Sequence, residues 1–137
     1  MSQTGPTVLD HDEALALLGA GVVGRIAFVD HDGTLQLVPV NYRELDGDVF
    51  WLTAAGGILA RSADADQVAF QVDHHDDTFQ SGWSILLRGR AEVVHDEGLA
   101  ATLADRGLRP WAPGERTTLV RLRAAAMTGR RVRLAPA

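Results

Sequence analysis

The chain contains no cysteine and no lysine, and each absence removes a class of chemistry. Without cysteine there is no disulfide framework, no thiolate metal site and no cysteine nucleophile, so any redox chemistry must come from a bound cofactor. Without lysine there is no Schiff base, hence no covalent pyridoxal-phosphate catalysis, and no P-loop. All thirteen basic residues are arginines. No apolar run reaches the roughly 18 residues of a transmembrane helix, and the N-terminus lacks the order of a signal peptide. These two features predict a cytoplasmic protein with no membrane partner. No nucleophile-elbow motif or Ser-His-Asp order supports a hydrolase. An acidic chain with a net charge of −5 and a pI near 5.4 is a poor match for nucleic acid.

What is present fits one domain spanning residues 1–137, since a chain of this length that is 46% hydrophobic can bury a real core. Charge is unevenly placed. Residues 1–77 carry three arginines against thirteen acids, and residues 78–137 carry ten against five, which makes the second half the better home for an anion site. Alternation of apolar and polar residues marks three strands between Val22 and Thr53, the first carrying Ile26 and Phe28, the second 35–42 and the third carrying Val49, Trp51 and Thr53, and further strands over 67–73, 83–94 and 117–122. Asp32-Gly33 and Asp46-Gly47 supply the positive-φ positions of tight hairpin turns. Asp10 and Glu13 have capping-box spacing ahead of a short helix that Gly19 and Gly21 would end, and helices are also predicted over 58–65 and 97–106. The pattern predicts a mainly β fold, a small antiparallel barrel of six strands with two or three short helices. Residues 74–82 read as a polar loop. Pro39 inside the second run cannot donate a ladder hydrogen bond, so pairing is interrupted there and backbone groups become available to a ligand.

Taken together, Gly24-Arg-Ile-Ala-Phe28, Val38-Pro-Val-Asn-Tyr42, Thr53-Ala-Ala-Gly-Gly57, Gly82-Trp-Ser-Ile-Leu-Leu-Arg-Gly-Arg-Ala-Glu92, Arg109-Pro-Trp-Ala-Pro-Gly114 and Thr128-Gly-Arg-Arg131 resemble the pyridoxamine 5′-phosphate oxidase-like family of flavin-binding split barrels. The resemblance is to its small single-domain branch, which includes nitroimidazole-resistance-type proteins. It implies a six-stranded Greek-key split barrel that forms a homodimer and holds FMN, or in some relatives a deazaflavin or haem, at the subunit interface. The implied activity is a flavin-dependent oxidoreductase acting on a small molecule. A non-enzymatic binding or sensor module on the same barrel is the alternative.

By the same resemblance, Val38, Pro39, Val40 and Asn41 should run along the flavin ring, with Leu52 and Thr53 on the neighbouring strand. Gly56 and Gly57 should present bare N–H groups to the phosphate at the start of a helix. The family's loop usually continues as Gly-Ser-Lys, and here those positions read Gly57 and Ile58, which removes both side-chain donors. Arg61, one turn further on, or an arginine of the partner subunit, is the substitute anchor. Trp83 and Ser84 begin the long strand where relatives place residues beside the flavin or across the dimer interface. Arg109 and Trp111 form an arginine-aromatic unit suited to stacking on a ring or covering a pocket mouth. Arg130, Arg131 and Arg133 read as a tail or as partners for the acidic first half. The His74-His75-Asp76-Asp77 run holds metal-capable side chains without a further ligand cluster at recognisable spacing, so no metal site is expected. No residue stands out as a general acid or base.

Overall fold

The computed structural model describes residues 5–78, 80–110 and 118–133. The elements are β1 (Gly5–Val8), α1 (His11–Ala20), β2 (Val23–Val29), β3 (Leu35–Asn41), β4 (Arg43–Leu45), β5 (Asp48–Thr53), α2 (Ile58–Arg61), a 3-10 turn (Ser62–Asp64), β6 (Val68–Asp76), β7 (Ser81–Val94), α3 (Glu97–Asp105) and β8 (Thr118–Arg133). All strand pairs are antiparallel, in the order β3-β2-β6-β7-β8-β5-β4, and β1 pairs with β8. The sheet curls until β3 touches β5 without pairing to it. That unpaired meeting is the split in a mainly β barrel, as expected, although the described residues contain eight strands instead of six.

The two additional strands are short. β4 has three half-buried residues and β1 has four, too few for alternation to register in the sequence. The six expected strands are all present, and three run longer than their patterns show, β7 by starting at Ser81. β6 continues through Asp76 because His74, His75 and Asp76 pair with Trp83, Gly82 and Ser81, which shrinks the expected loop over 74–82 to residues 77–80. β8 continues to Arg133, so Arg130, Arg131 and Arg133 are strand residues between β7 and β1, not a tail. Its pattern is broken at the register shift between Arg88 and Gly89, where Ala125 has no opposite residue. A side chain on Gly89 would collide with the Arg123 carbonyl, so the bulge needs glycine there.

Alternation places Ile26, Phe28, Val40, Trp51, Phe70, Ile85, Leu87, Val120 and Leu122 inside the barrel, all at most 3% exposed. α1 closes this core from one side with Ala14 and Leu18. Its start is fixed by Asp10, whose carboxylate accepts from the Glu13 N–H at 2.8 Å, and its end by Tyr42, whose hydroxyl donates to the Leu18 carbonyl at 2.6 Å. Burial pushes the Tyr42 hydroxyl pKa up, which keeps it a neutral donor. A second, smaller cluster of Phe50, Leu103, Leu108 and Leu119 lies between the outer face of β5 and α3. β5 is therefore buried on both faces.

Candidate functional site

The gap between β3 and β5 gathers most of the residues singled out in the sequence. Along β3, Val38 packs half-buried against the core, Val40 is buried in it, and Pro39 faces outward opposite Arg25. One edge of β3 pairs with β2 and the other has no partner strand, so the backbone groups along it are open to a ligand. On β5 the buried Thr53 shares the inner face with Trp51, while Leu52 points the other way and packs against the outer cluster. Beyond Thr53, a turn containing Gly56 at φ +76° leads into α2.

Two expectations about that turn change. The Gly57 N–H donates to the Ala54 carbonyl at 3.1 Å and is not bare. α2 is a single turn of four residues, so its dipole offers little field to an anion. Ile58 opens that turn 42% exposed and contributes no polar group.

Arg61 is already engaged. Its Nε donates to both oxygens of Asp30 at 3.1 Å, its Nη2 donates to Asp30 Oδ2 at 2.9 Å, and its Nη1 reaches the Gly56 carbonyl at 3.4 Å. The Asp30 side chain is 3% exposed, against 31% for Arg61. Asp30 also accepts from the His31 N–H, from Gln36 Nε2 at 3.2 Å, and lies 2.9 Å from His31 Nδ1. The Arg61 guanidinium, followed by these other donors, holds the Asp30 carboxyl well below the usual carboxylate range, and Asp30 raises Arg61 in return. The result ties the end of β2 to the glycine turn through a neutralised pair. Nothing in the local sequence announces it: Asp30 reads as one more turn acid ahead of Asp32-Gly33.

A second junction fixes the other end of β3. Asn41 donates from Nδ2 to the Arg109 carbonyl at 2.7 Å and accepts from Arg43 Nη1 at 3.3 Å, so both ends of its amide are occupied. Arg43 also donates to the carbonyls of Tyr42 (2.7 Å), Arg106 (2.9 Å) and Gly107 (3.0 Å). Arg109 folds back onto α3, donating to the carbonyls of Ala104 and Leu108. Asn41 and Arg109, far apart in sequence, thus meet at the mouth of the gap. Arg43, missed in the sequence, reinforces this direct bond by tying Asn41 to the carbonyls of Arg106 and Gly107 in the segment that leads to Arg109. Trp111 lies outside the described residues.

Trp83 and Ser84 stand apart from this group. They pair with His74 and Asp73 on β6 and with Arg131 and Arg130 on β8, three strands from β3 in the sheet order. His74 stacks loosely on Trp83, with ring centroids 6.3 Å apart. Among the described residues no helix is long and apolar enough to cross a membrane.

A curled antiparallel sheet with an open β3–β5 split, closed at one end by a glycine turn, is the architecture of the flavin split barrels. Residues 10–131 match the pyridoxamine 5′-phosphate oxidase family, and the chain belongs to that family. It is 35% identical over 129 residues to the uncharacterized protein Rv0080 of Mycobacterium tuberculosis, covering 90% of this chain and 84% of that one. The solved structure of the FAD binding protein from Mycobacterium smegmatis superposes with a TM-score of 0.77 at 32% identity, over 93% of this chain and 99% of that one. A conserved protein of unknown function from Corynebacterium diphtheriae superposes with a TM-score of 0.72 at 29% identity, over 94% and 98% of the two chains.

Proposed function

We propose that this protein is a homodimeric flavin nucleotide-binding protein, with FMN as the family's usual ligand, and that it serves as a flavin-dependent oxidoreductase on a small molecule. The observation that carries the reading is the unpaired edge of β3 facing β5. It offers backbone donors and acceptors to the edge of a flat ring, with the inward-facing Val38 as an apolar side chain beside it. Family membership and the likeness to an FAD binding protein support it. When bound, a flavin supplies the hydride chemistry. The chain's own part is to orient the ring along β3, to shield it with the barrel core, and to hold the nucleotide tail near the Gly56 turn.

The dimer is supported by an exposed apolar patch. Val29 and Leu35 are opposite one another, Ala27 and Leu37 form the adjacent same-face pair, and Val29, Leu35 and Leu37 are 57%, 72% and 68% exposed. Such a contiguous patch is characteristic of a protein interface. Across a two-fold axis, Trp83 and Ser84 of the partner would be free to complete a slot that they cannot reach within one chain.

The test is to purify the protein, record its visible spectrum, and titrate the apoprotein with riboflavin, FMN and FAD while following flavin fluorescence. Saturable binding in the micromolar range or tighter by at least one of them is expected. If none binds at about 100 μM, an affinity weaker than about −5.5 kcal/mol, the reading fails. Ile58→Lys restores a side-chain cation to the turn and is expected to tighten FMN about tenfold, the effect of one charge-assisted hydrogen bond.

A further inference from the structure

We propose that Arg88 and Arg90 of one subunit reach across the two-fold axis and hold the flavin phosphate in the slot of the other. The inference rests on the dimeric flavin reading and adds which residues supply the positive charge that the slot lacks. A deficit of charge in one place, a surplus in another and the register of the sheet between them carry it.

The deficit is at the glycine turn. The phosphate monoester of FMN carries about −1.5 to −2 at neutral pH. The turn has no lysine, its Gly57 N–H is used, and Arg61 is neutralised by Asp30. Among the described residues, the turn of a single chain therefore offers a phosphate no net positive charge.

The surplus is on the outer face of β7. Arg88 and Arg90 are both exposed there, and among the described residues neither makes an ion pair. Arg90 lies directly opposite Arg123 of β8, a like-charge pairing that costs stability. Glu92 is shared by Arg121 and Arg123, which leaves Arg90 uncompensated. An anion docked at this place would relieve the repulsion.

The register connects the two. Leu37, Ala27, Ala69 and Arg88 form one row across β3, β2, β6 and β7, so the arginines share a face with the exposed patch of Val29, Leu35 and Leu37. Two residues further along β7, Arg90 is level with Val29 and Leu35. Two copies joined by that patch stack outer face on outer face, with the two-fold axis in the plane between them. An axis at right angles to the strands lays β7 on β7 and sets Arg88, Arg90 and Arg123 against their own copies, a costly like-charge contact. An axis along the strands avoids this. It keeps each residue at its own level and exchanges the two sides of the patch, so β7 of one copy lies about 10 Å beyond β3 of the other, over the β3–β5 gap. There Arg88 and Arg90 stand level with Leu37 and Leu35, at the end of β3 next to Asp30, which carries Arg61 and the glycine turn. Ser84, on the same face of β7, is level with Asn41 at the other end of β3.

The experiment measures dissociation constants for FMN and for riboflavin, the same ring without the phosphate, on the full-length wild type and on Arg88→Gln/Arg90→Gln. The wild type is expected to be a dimer that prefers FMN, and the double variant to weaken FMN about tenfold or more while leaving riboflavin unchanged. Mixed dimers then separate the two subunits. Arg88→Gln/Arg90→Gln is co-expressed under a second tag with Val38→Trp, which fills the slot, or with Thr53→Trp if the first does not fold by circular dichroism. Each mixed dimer holds one intact slot facing intact arginines, so FMN should regain wild-type affinity at one site per dimer. FMN affinity within twofold of the wild type in the double variant, an equal loss for riboflavin, no recovery in the mixed dimers, or a monomeric wild type that binds FMN would each overturn the inference and leave flavin binding standing. Failure of the wild type to bind either flavin would sink the flavin reading itself.

Discussion

At both junctions that hold β3 in place an arginine makes the clamp, but the two arginines end in different electrical states. Arg61 closes on the carboxylate of Asp30, so its charge is cancelled where the glycine turn meets β2. Arg43 closes on the neutral carbonyls of Tyr42, Arg106 and Gly107 and on the Asn41 amide oxygen, and Arg109 closes on the carbonyls of Ala104 and Leu108. Among the described residues neither Arg43 nor Arg109 pairs with a carboxylate, and both close on carbonyl dipoles instead. One mouth of the gap is therefore rigid and neutral, the other rigid and cationic. A residue's type does not say whether it is an anion anchor. What it is already bonded to does.

The contrast can be broken from either side. The largest effect is expected at Arg43, where alanine removes every guanidinium bond that joins β3 and β4 to the segment after α3. Charge-assisted hydrogen bonds of this kind, partly open to water, put the loss at about 2 kcal/mol in urea unfolding. Lysine at this position should recover less than half of it, because an ammonium cannot fan across several carbonyls. An alanine variant as stable as the wild type would mean that the junction is not a clamp.

Asp30→Asn comes next, with a fall in Tm of roughly 5 °C at pH 7. The acid limb of stability sharpens this test. The folded Asp30 pKa is lowered below its unfolded value of about 3.9, so its contribution is fully present above that pH and is lost as pH falls toward the folded pKa. The variant should lose part of the wild type's decline below about pH 4. An unchanged slope would show that the pair does not couple to folding. Glu92, lowered by Arg123 and then Arg121, adds a similar but more exposed contribution that Asp30→Asn leaves in place.

The smallest effect is expected at Asn41→Ala, about 1 kcal/mol from two side-chain hydrogen bonds that water can partly replace. Flavin affinity in this variant separates its two roles. Weakening beyond the stability loss would place Asn41 on the ligand, and none would leave it as the tie to Arg109.

The barrel was legible because alternation is a local signal. Ile26 and Phe28, Val49 and Trp51, and Ile85, Leu87 and Ala91 announce their faces within a few residues, and Asp46-Gly47 announces its turn with φ values of +54° and +87°. The tail of β8 was not legible, because Ala124 to Met127 has no alternation and its strand state is imposed by pairing to β7 across the bulge. At the candidate site the chain positions were readable and their occupancy was not. Arg61 stood out as a cation near a glycine turn, but its partner Asp30 is 31 residues away and is brought there only by β2 reaching the end of its pairing with β3. Asn41 and Arg109 were each picked out separately. Their contact, and the bonds of Arg43 to Arg106 and Gly107 beside it, depend on where α3 comes to rest on β5.

Trp51 also gives the molecule an internal optical gauge. Its indole is fully buried and its N–H meets no partner among the described residues, so this ring, one of three tryptophans, sits in an apolar setting two residues before Thr53 at the gap. An indole so placed emits toward the blue end of the tryptophan range, where the near-ultraviolet absorption of an isoalloxazine overlaps it. A ring seated between β3 and β5 would lie within a strand or two of Trp51 and drain its excited state by energy transfer. Loading of the slot can therefore be followed in the unlabelled protein as a dimming of its bluest emission, and Trp51→Phe should abolish that signal.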